Sequence, residues 1–297
     1  MISLPYVTWI GLGKMGLPMA DRLVEAGYSL TVHNRTMDKC DALTAKGVAA
    51  ASSVAEAVVG GDIVISMVAD DDALADVALG DSGVLTNAAK GSLFIDMSTV
   101  SPVVSERIAA AAEEVEIKYL RAPVNGSVVQ AATGGLVILA SGPKDGFETA
   151  EPLFEIMGDR KFYIGPEEQA RYLKLSINIM IGITASMTGE ALAFGEAGGL
   201  NWADMIDIIA SSAIGSPVIN YKTDTLKNRD FRPAFTARQM AKDFDLALTS
   251  AAAAGVPLPV TGLVRQHWNA MIGTGRGEVD FFGYVELLED LAGIKRD

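Results

Sequence analysis

Val7-Thr8-Trp9-Ile10-Gly11-Leu12-Gly13-Lys14-Met15-Gly16, with Asn34-Arg35-Thr36 closing the next apolar run, decides how this chain folds. Val7 to Ile10 reads as a strand, and Met15, Met19, Leu23 and Val24 share one face of a following helix that stops at Gly27. Leu30 to His33 is the second strand, so the stretch is one βαβ unit carrying G-x-G-x-x-G at its first turn. In that context Gly11 permits the tight turn, Gly13 lets a pyrophosphate approach the backbone, and Gly16 lets the helix pack close to the strand. The helix N-terminus then faces the phosphates. A site that prefers NAD places Asp or Glu at the end of the second strand, whereas this chain has Asn34-Arg35-Thr36. A guanidinium and a hydroxyl suit a 2′-phosphate that a carboxylate would repel. The expected cofactor is NADP(H), held by Gly11, Leu12, Gly13, Lys14, Met15 and Gly16, by Asn34, Arg35 and Thr36, and by Val68 at a later strand end.

Composition narrows the remaining classes. The chain has 297 residues, 49% of them apolar, which is enough for two domains and a soluble globular core. A net charge of −13 with no basic run argues against nucleic acid as a partner. Cys40 is the only cysteine, so there is no intrachain disulfide, and a reducing, cytoplasmic setting fits. Cys40 itself reads as a packed or half-exposed helix thiol. Met1-Ile2-Ser3-Leu4-Pro5 has no basic segment of an export signal. The apolar stretch Leu173 to Phe194 contains Lys174, Asn178 and Glu190 and repeated small residues, which favours burial among helices over a place in lipid.

The chain falls into two halves. After the opening unit, short β-like runs at 62–68, 92–97, 118–124, 136–141 and 161–164 alternate with helical segments. Continuous apolar runs between helices indicate a mostly parallel, doubly wound sheet covered on both faces, an α/β Rossmann domain. From Pro166 the β signal stops and helical patterns follow at 167–194, 202–211, 218–226, 236–254, 259–274 and 284–292. The expected domains are therefore 1–164, binding the nucleotide, and 165–297, all-helical and serving substrate binding and oligomerisation, joined by a long helix.

Such a pairing suggests a dehydrogenase with its cleft between the halves, so an acid or base is needed. No Tyr-x-x-x-Lys pair occurs, His33 lies inside a strand, and His267 lies late in a helix beside Trp268. Asp70-Asp71-Asp72 reads as capping of the next helix, because consecutive carboxylates point different ways. No metal site is expected. Lys174 remains, set between Leu173 and Leu175 on an otherwise apolar helix, with Asn178 four residues on and on the same face. Two readings are open for it: a proton donor to a carbonyl oxygen as hydride arrives, or a lysine that snorkels to solvent beside a helix-packing asparagine.

Five ordered blocks extend the match along nearly the whole chain. Gly11 to Ala20, Asp96-Met97-Ser98-Thr99-Val100-Ser101-Pro102, Ala122-Pro123-Val124-Asn125-Gly126-Ser127, Lys174-Leu175-Ser176-Ile177-Asn178 and Lys242-Asp243-Phe244-Asp245-Leu246-Ala247 resemble the signature blocks of the β-hydroxyacid dehydrogenases. That family includes 3-hydroxyisobutyrate dehydrogenase, tartronate semialdehyde reductase and glyoxylate/succinic semialdehyde reductase. The resemblance implies that Lys174 is the general acid/base and that Asn178 holds the substrate. It also implies that Thr99 and Lys242, with Asp243 beside it, meet the nicotinamide end of the cofactor. Asn125, Gly126 and Ser127 would bind the substrate carboxylate through backbone N–H groups and small side chains. Read without the family, Thr99 and Ser101 are a strand-end turn or cap before Pro102, Lys242-Asp243 is a helix surface pair, and 125–127 is a strand-to-helix turn.

Two positions depart from the family pattern. Ser-Gly-Gly is usual where this chain has Asn125-Gly126-Ser127, and Asp is usual at Arg121, for which a structural ion pair is expected. The function implied is NADPH-dependent reduction of a small carboxylate-bearing aldehyde, a semialdehyde or glyoxylate, to its hydroxy acid by a homodimer or homotetramer. Two alternatives are an imine reductase, against which Lys174 counts, and a non-catalytic NADP(H)-binding module.

Overall fold

Alternate residues of the apolar runs serve opposite faces of one sheet. Trp9, Ile63, Ile65, Ile95 and Leu120 pack into one cluster, while their neighbours Ile10, Val64, Phe94 and Tyr119 pack into another on the far side. Both faces are buried, which is why these strands carry no polar alternation. The structure, a computed structural model, describes residues 4–296. Met1 to Ser3, part of the stretch read above for an export signal, lie outside the described residues.

The strands are β1 (Val7–Ile10), β2 (Leu30–His33), β3 (Ala49–Ala50), β4 (Ile63–Ser66), β5 (Leu93–Asp96), β6 (Lys118–Arg121), β7 (Val124–Asn125), β8 (Leu136–Ser141) and β9 (Gly158–Gly165). Their order is β3-β2-β1-β4-β5-β6-β8-β7, with β9 also on β8. Strands β1 to β6 are mutually parallel, β8 runs antiparallel to β6 and β7, and β9 is parallel to β8. The chain reverses direction in strand order between β1 and β4, the crevice where such sheets bind nucleotides. The expected strand 118–124 is broken at Ala122-Pro123, since proline lacks the N–H that a ladder needs. Its carbonyl is still used, accepting from Leu139 N–H at 3.0 Å.

The chain divides into two compact units, Met1–Lys174 and Leu175–Asp297. The first keeps the opening turns of the long helix Gln169–Ala197, whose Arg171 is tied into the sheet as described below. The second is helical: Trp202–Ser211, Pro217–Lys227, Ala237–Ala253, Pro259–Gly273 and Tyr284–Ala292 follow the long helix. Thr236 begins one of them with a capping box, its Oγ1 accepting from Gln239 N–H at 3.1 Å while Gln239 Oε1 accepts from Thr236 N–H at 3.0 Å. The core gathers around Trp268 and Phe244, whose rings meet edge to face 6.0 Å apart. The long helix is the one described helix apolar enough to cross a membrane by length and composition. Its small residues admit neighbours instead: a Cβ at Gly182 would lie 2.4 Å from the Phe244 ring, and one at Gly189 would lie 3.1 Å from Tyr284.

One buried charge cluster in the second unit has a pH signature. Burial pushes the Glu289 carboxyl up to about 7, helped by Glu196 and opposed by the Arg229 guanidinium that bonds both carboxylates. Arg296 stands 3.5 Å from Glu289 as well. A carboxyl whose folded value lies above its unfolded one holds its proton better in the folded state. Its contribution to stability is full below the ordinary carboxylate range and is lost as pH rises through about 7. We expect the melting temperature of the wild type, measured against that of Glu289→Gln, to fall between pH 5 and pH 8. A difference that stays constant across that window would contradict the assignment.

Candidate active site

The glycine turn is shaped by steric necessity. Gly11 has φ +97°, and a Cβ there would lie 2.3 Å from the Met67 carbonyl oxygen. A Cβ at Gly16 would lie 2.0 Å from the Gly11 carbonyl oxygen, so the helix Gly16–Glu25 can start this close to β1 only with glycine. Gly13 differs: a Cβ there meets nothing within 4 Å. Its exposed backbone leaves the open cradle that a pyrophosphate needs. The Trp9 indole N–H donates to the Gly11 carbonyl at 3.0 Å and holds the turn, a role that nothing in the motif announces.

The second strand contributes differently from the expectation. Asn34 Oδ1 accepts from Leu12 N–H at 2.9 Å, and its Nδ2 donates to the Thr36 carbonyl at 2.8 Å. Both ends of that side chain are therefore spent on the loop, and Asn34 sets its shape. Arg35 and Thr36 are exposed, and no described residue pairs with the Arg35 guanidinium.

A buried network joins the ends of β4 and β5 to the long helix. Asp96, fully buried, accepts at Oδ1 from Ser66 Oγ and Ser98 Oγ, each at 2.6 Å, and at Oδ2 from Arg171 at 2.5 Å. Arg171 also donates to the Ser98 carbonyl at 2.6 Å and to Ser105 and Tyr119. Ser98 Oγ in turn accepts from Val68 N–H at 2.8 Å. Val68 is thus held, through Ser98, by the same charges that anchor the helix three residues before Lys174. Burial pushes the Tyr119 hydroxyl up to about 12, so it stays protonated and able to donate. Sequence reading missed Asp96 and Arg171, although an arginine one turn before Lys174 on an apolar helix carries the same signal as the lysine.

Lys174 is buried, and its Nζ donates to Asn125 Oδ1 at 2.9 Å. Asn125 sits on β7, registered opposite Val137 of β8, and Gly126 beyond it turns with φ +142°. The N–H of Ser127 is taken by Gln130 Oε1 at 2.6 Å, within the helix Val128–Thr133 that it begins. That corrects the expectation that this N–H is open to a carboxylate: capping the helix uses it. Arg121 does form an ion pair, with the buried Glu168, its Nε donating at 2.7 Å.

In the second unit Asn178 is buried, and its Nδ2 donates to Asp243 Oδ2 at 2.5 Å. Lys242 lies 3.1 Å from the other oxygen of Asp243, so the three form one chain of contacts rather than the surface pair that helix spacing alone suggests. Asn178 follows Lys174 by four residues on one continuous helix. Other candidates resolve as structural. Asp70 Oδ1 caps its helix, accepting from Ala73 N–H at 2.9 Å, and Ser101 caps the helix that begins at Pro102. Cys40 is buried, His33 contacts the Ala51 carbonyl, and His267 stacks on Tyr284 and meets Ser186 Oγ at 2.8 Å. Among the described residues, no cluster of His, Cys, Asp and Glu could hold a metal.

Comparison with known proteins places the chain in a family. Residues 6–165 match the family described as the NAD binding domain of 6-phosphogluconate dehydrogenase. Residues 169–288 match that described as the NAD-binding of NADP-dependent 3-hydroxyisobutyrate dehydrogenase. The NAD-dependent L-serine dehydrogenase of Pseudomonas aeruginosa is 35% identical, over 97% of this chain and 99% of that protein. The chain belongs to the β-hydroxyacid dehydrogenase family. Glyoxylate/succinic semialdehyde reductase 1 of Arabidopsis thaliana is 32% identical, over 95% of this chain and 98% of its own length. The structure of Mycobacterium tuberculosis 3-hydroxyisobutyrate dehydrogenase with L-serine superposes with a TM-score of 0.87 at 27% identity, covering 96% of this chain and 99% of that one. Like other β-hydroxyacid dehydrogenases, this protein is an NAD(P)-dependent oxidoreductase acting on CH–OH groups.

The two helix-side glycines separate binding from folding. Gly16→Ala should lower stability by on the order of 1–3 kcal/mol, read as a lower melting temperature, because backbone must move to admit the methyl. Gly13→Ala should melt like the wild type and yet bind NADPH at least tenfold more weakly, measured by titration calorimetry. Wild-type affinity in Gly13→Ala would refute the assignment of this turn to the pyrophosphate.

Proposed function

We propose that the protein is an NADPH-dependent reductase that converts a small carboxylate-bearing aldehyde, a semialdehyde or glyoxylate, to the hydroxy acid. The observation that carries this reading is the buried Lys174, bonded to Asn125 and set one helical turn beyond the Arg171 anchor. NADPH, when bound, supplies the hydride that reaches the carbonyl carbon. Lys174 Nζ gives a proton to the carbonyl oxygen, and Asn125 Oδ1 keeps the ammonium aimed. An ammonium within hydrogen-bond reach of that oxygen also stabilises the negative charge that develops on it. Asn178, held by Asp243, is assigned to the substrate. Gly11, Leu12, Gly13, Lys14, Met15 and Gly16 hold the pyrophosphate, and Val68, Thr99 and Lys242 hold the nicotinamide end.

Preference for NADPH rests on the end of β2. No carboxylate stands at Asn34, Arg35 or Thr36, and the Arg35 guanidinium is exposed beside the Thr36 hydroxyl. Assays with NADPH and NADH side by side, on glyoxylate and on succinic semialdehyde, test the whole reading. NADPH should be the better cofactor, and Arg35→Ser should narrow its advantage about tenfold or more. Lys174→Ala should abolish turnover and leave NADPH binding intact. Normal activity in that variant refutes the mechanism, and cofactor binding with no carbonyl reduced favours a non-catalytic role.

A homo-oligomer is part of the same reading. Leu173, Met180, Met187 and Phe194 recur every seven residues along the long helix and are exposed by 38%, 68%, 44% and 83%. An apolar stripe of this period suits the seam of a second helix of the same kind, and a monomer has no reason to leave it in water. Light scattering should report a dimer or tetramer, and Met180→Glu with Met187→Glu should shift it toward monomer. A monomeric wild type at micromolar concentration would end this part of the proposal.

A further inference from the structure

The departure at position 125 points to the substrate, on the proposed reading that Lys174 protonates a carbonyl oxygen. Asn125 is an amide, and its two ends are chemically opposite: Oδ1 accepts and Nδ2 donates. Lys174 Nζ, an ammonium with donors only, takes Oδ1 at 2.9 Å and thereby decides which way the amide faces. No described residue accepts from Nδ2, and the side chain is half-buried. Its backbone is fixed by the register of Asn125 with Val137 and by the turn at Gly126. With the Ser127 N–H spent on Gln130, the Asn125 amide is a donor held beside Lys174 by its own oxygen.

We infer that Asn125 selects carbonyl compounds joined directly to a carboxylate, the 2-oxo acids, of which glyoxylate is the smallest. Oδ1 and Nδ2 share one carbon, so a substrate bonded by both Lys174 Nζ and Asn125 Nδ2 closes the smallest ring of contacts when its two bonded oxygens are close together. Oxygens on adjacent carbons meet that condition. The ring of contacts then closes through Nζ, the carbonyl oxygen, two substrate carbons, a carboxylate oxygen, Nδ2 and Oδ1. Placing the carboxylate one or two carbons farther out, as in the longer semialdehydes, takes its oxygen away from Nδ2 and leaves a half-buried donor without a partner. The serine usual at this position has one hydroxyl on a shorter side chain, so a single oxygen would have to accept from the ammonium and donate to the second oxygen, with a different reach.

The test compares wild type, Asn125→Ser and Asn125→Asp, each checked for melting temperature and NADPH affinity, on glyoxylate and succinic semialdehyde. Wild type should have the higher kcat/KM on glyoxylate, and Asn125→Ser should lower the glyoxylate-to-semialdehyde ratio about tenfold to a hundredfold. Asn125→Asp keeps an acceptor for Lys174 and replaces the donor by a like charge, so it should lose glyoxylate more severely still. Oxalate, whose oxygens are on adjacent carbons, should inhibit the wild type more strongly than malonate, and that margin should close in Asn125→Ser. A wild type that favours succinic semialdehyde, or a ratio unmoved in both variants, overturns the inference and leaves the reductase reading standing when Lys174→Ala is inactive. If the wild type reduces no carbonyl, the reading beneath it falls as well.

Discussion

The buried pair of Asp96 and Arg171 is the constraint on which the rest of the first unit depends. Two full charges sit where water does not reach, and the pair survives because both groups bond to further partners as well as to each other. Pairs of this kind add little net stability over an apolar replacement, yet losing one partner costs about 3–5 kcal/mol, because the other charge is left buried and alone. Its value is positional. It fastens the end of β5, through Ser98, to the start of the long helix, and the same serine oxygen holds Val68 at the end of β4. A helix that begins elsewhere would carry Lys174 away from Asn125.

The nucleotide turn depends on a constraint of another kind, exclusion. Gly11 and Gly16 are there because a carbonyl oxygen occupies the space that any side chain would need, and Gly13 because the space must stay open. Trp9 and Asn34 then hold the loop by hydrogen bonds to its backbone, one from each strand that flanks it. The loop is therefore tied in shape by its own contacts, which lowers the ordering that binding must supply.

Legibility followed the range of the interaction. The βαβ unit, the Asp70 and Ser101 caps and the succession of helices after Pro166 were readable because each rests on periodicity or on contacts within a few residues. The break of the sixth strand at Pro123 was also local and yet was missed, since the apolar run continues through it. Lys174 and Asn178 stood out as polar residues on an apolar helix, while Arg171 on that helix went unremarked without a partner in view. Arg121 was expected to pair, and its partner Glu168 lies far along the chain. Glu289, whose carboxyl is held up by burial near Glu196, carried no signal in its own neighbourhood.

By itself the sequence determined the fold class, the glycine turn, the residue types offered at the end of the second strand and the lysine that stands out on the apolar helix. These follow from backbone geometry and side-chain chemistry, which act locally. The capping of Ser127 by Gln130, three residues apart, is local too and went unread. Only the tertiary structure decided that Asn34 Oδ1 is spent on Leu12 N–H and that Asn125 Oδ1 faces Lys174. A side-chain amide has few bonds to give, and which partners these two serve depends on residues distant in the chain that folding brings within 3 Å.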